Sequence, residues 1–136
     1  MKYKHVFLIW LIADLFLAFG LLCFVIYEQI DGGDKNDMGM FLLIAGYGIV
    51  VSLPSLVTML LFHLLYTNNV KDTANYRQPY IALIIGINIL YLLIGQVGFG
   101  MTGEFNTFYV GSTLAGLLAF YLIDRRIKKA ALVIKE

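Results

Sequence analysis

A single cysteine, Cys23, stands among the 136 residues, so an intrachain disulfide and a thiolate metal cluster are both excluded. Leu21 and Leu22 precede it where a lipoprotein cleavage site would need small residues, and Cys23 is expected to be a small apolar filler. Charge is equally scarce. Asp, Glu, Lys and Arg make up 14% of the chain and hydrophobic residues 60%, whereas soluble domains carry about a quarter and about 45–50%. Such a chain has too little polar surface for water. Its net charge of +1 gives no footprint for nucleic acid. H-E-x-x-H, G-x-S-x-G and the Walker glycine loop are all missing, so the chain is not expected to be an enzyme, and neither a cofactor nor a metal is implied.

What the chain has instead is apolar length. A membrane span needs about 20 mostly apolar residues, because the hydrocarbon layer is about 30 Å thick and a helix rises about 1.5 Å per residue. Four windows qualify: residues 6–27, interrupted only by Asp14; 38–66, which contains Pro54; 79–99, opening on Pro79; and 105–123. Backbone amides in lipid must be paired within the segment, and these windows lack the alternation of barrel strands. The expected fold is therefore all-α, one domain over residues 1–136, with short connections that favour an antiparallel up-down four-helix bundle. The basic start Met-Lys-Tyr-Lys-His looks like a signal peptide, yet the apolar run after it is too long for one and no A-x-A site follows. The first helix is expected to stay as a span. Proline removes a backbone donor and crowds the preceding turn, so the second helix is expected to bend near Val50–Pro54, with Ser52 and Ser55 close enough to satisfy freed backbone groups.

Orientation follows from the basic residues, which favour the cytoplasmic side of short loops. With the N-terminus inside, Lys2, Lys4, Lys71, Arg77, Arg125, Arg126, Lys128, Lys129 and Lys135 all fall inside and only Lys35 outside. Both ends are thus expected in the cytoplasm, and the location is expected to be a plasma membrane of the bacterial inner-membrane type. Glu28, Asp31, Asp34, Asp37 and Glu104 form an acidic outer side, read as solvated loops. Tyr3, Tyr27, Tyr66, Tyr76, Tyr80, Tyr109 and Tyr121 fall near span ends, the headgroup level that amphipathic rings favour.

Ionisable groups at membrane depth are functional candidates by default, and Asp14 is the one acid there. Counting helical rise from the inner boundary puts Asp14 and Asn88 at roughly 13 Å, Thr58 at roughly 12 Å, Ser55 at roughly 16 Å and Thr113 at roughly 15 Å. Every helix therefore offers a polar group near mid-bilayer. With no Lys or Arg at that depth, Asp14 is expected to be a neutral acid hydrogen-bonded to Asn88, a structural clasp; the alternative is a carboxylate lining a wet cavity, as in proton-coupled carriers. His5 and His63 are read as interfacial histidines with a wet edge. Gly48, Ser52 and Ser55, and Gly111, Ala115 and Ala119, form small-residue stripes suited to close helix approach. Past Ile123 the tail has Ile127, Ala130, Ala131 and Ile134 on one helical face, and Arg125, Arg126, Lys128 and Lys129 as a basic, lipid- or partner-facing group. No pattern is specific enough to name a family. The expected role is a non-enzymatic accessory or scaffolding subunit whose partners are the lipid bilayer and other membrane proteins or itself, without nucleic acid; the alternative is a small oligomeric proton-coupled transporter or permeation unit built around Asp14.

Overall fold

The computed structural model describes residues 1–30, 37–69, 75–99 and 104–133. Among them are four α-helices and no strand: α1 (Tyr3–Ile30), α2 (Asp37–Asn69), α3 (Arg77–Phe99) and α4 (Glu104–Val133). They cover the four apolar windows. Of the expected groups, the acidic outer residues Glu28, Asp31, Asp34, Asp37 and Glu104, together with Ala131 and Ile134, have side chains outside what is described. Among the described residues, two stretches, Tyr3–Tyr27 and Arg77–Ile94, are long and apolar enough to cross a membrane.

The helix starts are made by local chemistry. At α1 the carbonyl of Lys2 accepts from the amide of His5 at 2.9 Å, and His5 Nδ1 reaches back to accept from the Lys2 amide at 3.0 Å. The imidazole thus fills one half of a capping box, taking the place of its carboxylate, while the other bond is an ordinary backbone turn. Pro79 sits in the first turn of α3, where its missing donor has no helical partner to lose; the next amide, of Tyr80, bonds the carbonyl of Tyr76. Pro54 lies inside α2, which is assigned as one uninterrupted helix. Around it Ser52 Oγ lies 2.8 Å from the carbonyl of Ile49, Ser55 Oγ donates to Ser52 at 2.6 Å and Thr58 Oγ1 donates to Pro54 itself at 2.8 Å.

By backbone proximity α1 packs on both α4 and α2, and α3 packs on α4. The small residues of α4 allow this: Ala115 and Ala119 are buried, and a Cβ built on Gly116 would stand 2.9 Å from Ile84 Cγ2 of α3. Gly111, expected on the same stripe, faces open space. α2 and α3 meet through rings instead, with Phe62, His63 and Tyr66 set around Tyr80.

Burial is confined to one end. Among the described residues, every buried side chain lies in Val6–Trp10, Met59–His63, Tyr80–Ile84 or Ala115–Asp124. These segments sit where α1 begins and α4 finishes, the base of the bundle. Tyr80 is its centre. It is fully buried, stacks on Phe120 of α4 with ring centroids 6.2 Å apart, and meets Phe62 of α2 edge-on at 5.3 Å. Among the described residues, the opposite half of each helix holds exposed or half-buried side chains only, and α1 there carries an apolar groove of about 640 Å³ lined by Ile12, Leu15, Phe16, Ala18, Phe19 and Leu22.

Candidate functional site

Asp14 of α1 meets α2 through Ser52. The Ser52 hydroxyl lies 2.7 Å from Asp14 Oδ2, and Trp10 Nε1, one turn before Asp14, donates to Ser52 Oγ at 3.1 Å. The other four residues expected at this depth turn to their own helices: Ser55 and Thr58 as above, Asn88 Nδ2 to the carbonyl of Ile84 at 2.9 Å, and Thr113 Oγ1 to that of Tyr109 at 2.8 Å. Hydroxyls bond back to carbonyls three or four residues earlier whenever geometry allows. Asn88 stands on α3, which packs on α4 rather than on α1.

The register explains why Ser52 is chosen. Tyr3 packs edge-on to His63 with centroids 4.4 Å apart. Eleven residues on from Tyr3 is Asp14, and eleven back from His63 is Ser52. Eleven residues are about three helical turns, so in antiparallel helices the two side chains arrive at one level on facing sides. Counting depth from Tyr66 misses this, because it puts Ser52 at roughly 21 Å, far above Asp14.

A second polar centre lies at the base, in residues that depth counting does not single out. Asp124, which the sequence places among the charges of the tail, is 3% exposed. It accepts from Tyr76 Oη at 2.6 Å and from Arg77 Nε at 3.2 Å, with a further ion pair to Arg77 Nη2. Lys128 stands one turn on, 4.0 Å away. Burial pushes the Asp124 carboxyl up, but the hydrogen bonds from Arg77 and Tyr76 and the positive charges of Arg77 and Lys128 outweigh it and hold the group below its ordinary value. The Tyr76 phenol is pushed up to about 12, by burial first and then by its hydrogen bond to the Asp124 carboxylate.

Beside this centre His63 Nδ1 and Tyr80 Oη share a short hydrogen bond. His63 is 2% exposed, so the wet interfacial edge expected for it is absent. The reason is the ring cluster, in which Tyr3 and Tyr80 both pack against the imidazole. The tyrosines divide likewise: Tyr3, Tyr27 and Tyr121 are exposed, whereas Tyr66 and Tyr76 are half-buried and Tyr80 is fully inside. A notch of about 10 Å³ opens among Met1, His63, Tyr66, Thr67, Tyr76 and Tyr80, space for about one water.

Of the basic tail, Arg125, Arg126, Lys128 and Lys129 are all exposed, and Lys128 alone of these leans on Asp124. Ile127 packs against the core while Ala130 is exposed. Among the described residues no three His, Cys, Asp or Glu side chains gather to hold a metal. Chemically, the two centres offer hydrogen bonds that join helices, one at mid-length and one at the base. Comparison with models of known protein families, with curated proteins and with solved structures finds no match to this chain.

Proposed function

We propose that this chain crosses a plasma membrane four times, with both ends in the cytoplasm, and acts as a non-enzymatic scaffolding subunit that holds other membrane proteins through its helix faces. The observation that carries the reading is where polarity is spent. Asp14, Ser52, Ser55, Thr58, Asn88 and Thr113 bond to their own backbone or to each other, while large apolar side chains stand exposed on every helix, among them Phe19, Leu61, Leu90 and Leu114. Exposed apolar surface on this scale fits lipid and partner helices. Between the level of Asp14 and the His63–Tyr80 pair the interior is Val6, Ile9, Met59 and Ile84, an apolar stretch that does not favour a polar route to the base.

The alternative, a proton-coupled unit built on Asp14, draws support from one geometry: an ionisable acid facing a hydroxyl across a helix interface. Two measurements separate the possibilities. Reporter fusions at Asp34 and Glu104 are expected outside and fusions at Asn75 and Glu136 inside; Asn75 outside would defeat the four-span arrangement. Purification in mild detergent is then expected to bring a stoichiometric membrane partner, whereas a chain that purifies alone and supports pH-linked flux in liposomes would favour the carrier.

A further inference from the structure

One face of α4 changes character along its length without changing direction. Leu118, Tyr121 and Leu122 are 47%, 57% and 40% exposed, and Arg125, Arg126 and Lys129, also exposed, continue the same stripe at three- and four-residue spacing. The helix runs unbroken to Val133, so the basic groups lie within about 15 Å of Ile123 at helical rise. Nearby charges are already committed. The one acid at this end of α4 is buried, and Arg77 and Lys128 are directed to it. Arg125, Arg126 and Lys129 have no ion-pair partner among the described residues.

We propose that this stripe is a binding site for an anionic phospholipid, its acyl chain along Leu118 and Leu122, its glycerol level at Tyr121, and its phosphate on Arg125, Arg126 and Lys129. The proposal rests on the four-span reading. Two features select a phospholipid over an acidic protein: the basic groups are continuous with an apolar face of acyl-chain character, and a tyrosine stands at the junction, where aromatic rings favour the headgroup level. Guanidinium groups bind phosphate through paired donors, which an ammonium cannot reproduce. Lys128 is outside the site because it serves Asp124.

The test uses the full chain in lipid nanodiscs and in detergent, with phosphatidylglycerol and phosphatidylcholine as probes. Native mass spectrometry counts retained lipid. Each basic group near an anionic surface is worth about fivefold in affinity, so wild type is expected to retain phosphatidylglycerol over phosphatidylcholine by at least about tenfold, after allowance for solvent screening. Arg125→Gln/Arg126→Gln/Lys129→Gln is expected to erase that preference. Lys2→Gln/Lys4→Gln/Lys135→Gln, which removes equal charge, is expected to keep it. Should the first triple variant fail to fold, Arg126→Gln alone is expected to lose about threefold or more. Equal retention of both lipids by wild type, an unchanged preference in the Arg126 variants, or equal loss in both triple variants would overturn the site. Alkaline extraction of the chain from native membranes reads the four-span arrangement separately: a chain that is extracted defeats that arrangement, whereas one that resists extraction but shows no lipid preference defeats the site alone.

Discussion

The Ser52 hydroxyl lies 2.7 Å from Asp14 Oδ2 and 2.8 Å from the carbonyl of Ile49, and it has one proton to give. Facing an ionised Asp14 it donates across the helix interface. Facing a neutral Asp14 it accepts, and turns its own proton to Ile49. Trp10 donates to the same oxygen in either case. The arrangement keeps the Ser52–Asp14 hydrogen bond in either charge state.

Asp14→Asn keeps a donor and an acceptor of nearly the same shape. Its thermal stability in mild detergent is therefore expected to match wild type within about 0.5 kcal/mol, while Ser52→Ala is expected to cost about 1 kcal/mol. For a scaffold, neither wild type nor Asp14→Asn carries pH-linked proton flux in liposomes. A stable Asp14→Asn chain that loses a measurable wild-type flux would establish the carrier instead.

The base should govern stability at the extremes of pH. The folded-state pKa of Asp124 is held below its ordinary value of 3.8, so its contribution is present above that value and is lost as pH falls through the folded pKa. Tyr76 is raised from 10.0 to about 12, so its contribution is complete below pH 10 and is lost as pH rises toward 12. Stability in detergent is expected to be flat between these windows as far as this pair is concerned. Asp124→Asn should blunt the acid loss and Tyr76→Phe the alkaline loss. An alkaline limb unchanged in Tyr76→Phe would assign it elsewhere.

Asp124→Ala removes the shared acceptor of Tyr76 and Arg77 and is expected to cost about 1–3 kcal/mol. Tyr80→Phe strands the Nδ1 of buried His63 and is expected to cost a similar amount, about 1–3 kcal/mol. Chemical-denaturant titration of each variant measures both, and a near-neutral Tyr80→Phe would mean that the ring packing, not the hydrogen bond, holds α2 to α3.

Glycines give an internal control. A methyl group at Gly116 would meet Ile84 Cγ2 at 2.9 Å, whereas at Gly86 and Gly111 it meets nothing within 4 Å. Gly116→Ala is expected to destabilise by about 1–3 kcal/mol through overpacking. Gly86→Ala and Gly111→Ala are expected to stabilise by up to about 1 kcal/mol through helix propensity. The same unfolding assay ranks all three, and a stabilising Gly116→Ala would show that α3 and α4 separate easily.

Helix positions were legible because runs such as Val6–Tyr27 have one regular solution in an apolar setting. Pairing was not, because depth counting assumes that all helices share one boundary. The Tyr3–His63 contact sets a register five residues different from the one counted from His5 and Tyr66, since His63 lies three residues before Tyr66 and Tyr3 two before His5, and that difference brings Ser52 rather than Val57 level with Asp14, while Asn88 stands on α3, which packs on α4. Asp124 was hidden by its company. Next to Arg125, Arg126, Lys128 and Lys129 it reads as one more solvated charge, and only the packing of the start of α3 on α4 turns it inward. Distance from a helix end says little about His63 either, because its surroundings are set by the rings of Tyr3 and Tyr80 from other helices.

Confinement of the buried residues to the base has a consequence for how the bilayer enters the energetics. In the proposed orientation, side-chain packing falls largely within the cytoplasmic leaflet, and the described parts of the helices in the other leaflet have lipid tails for neighbours. The two leaflets would then act on the protein differently: changing acyl length or unsaturation on the outer side alone alters the solvation of residues such as Leu15, Phe19 and Leu93, while the same change on the inner side meets a surface already stiffened by Tyr80 and Phe120. Asymmetric vesicles would expose the difference as a stability that tracks the composition of one monolayer.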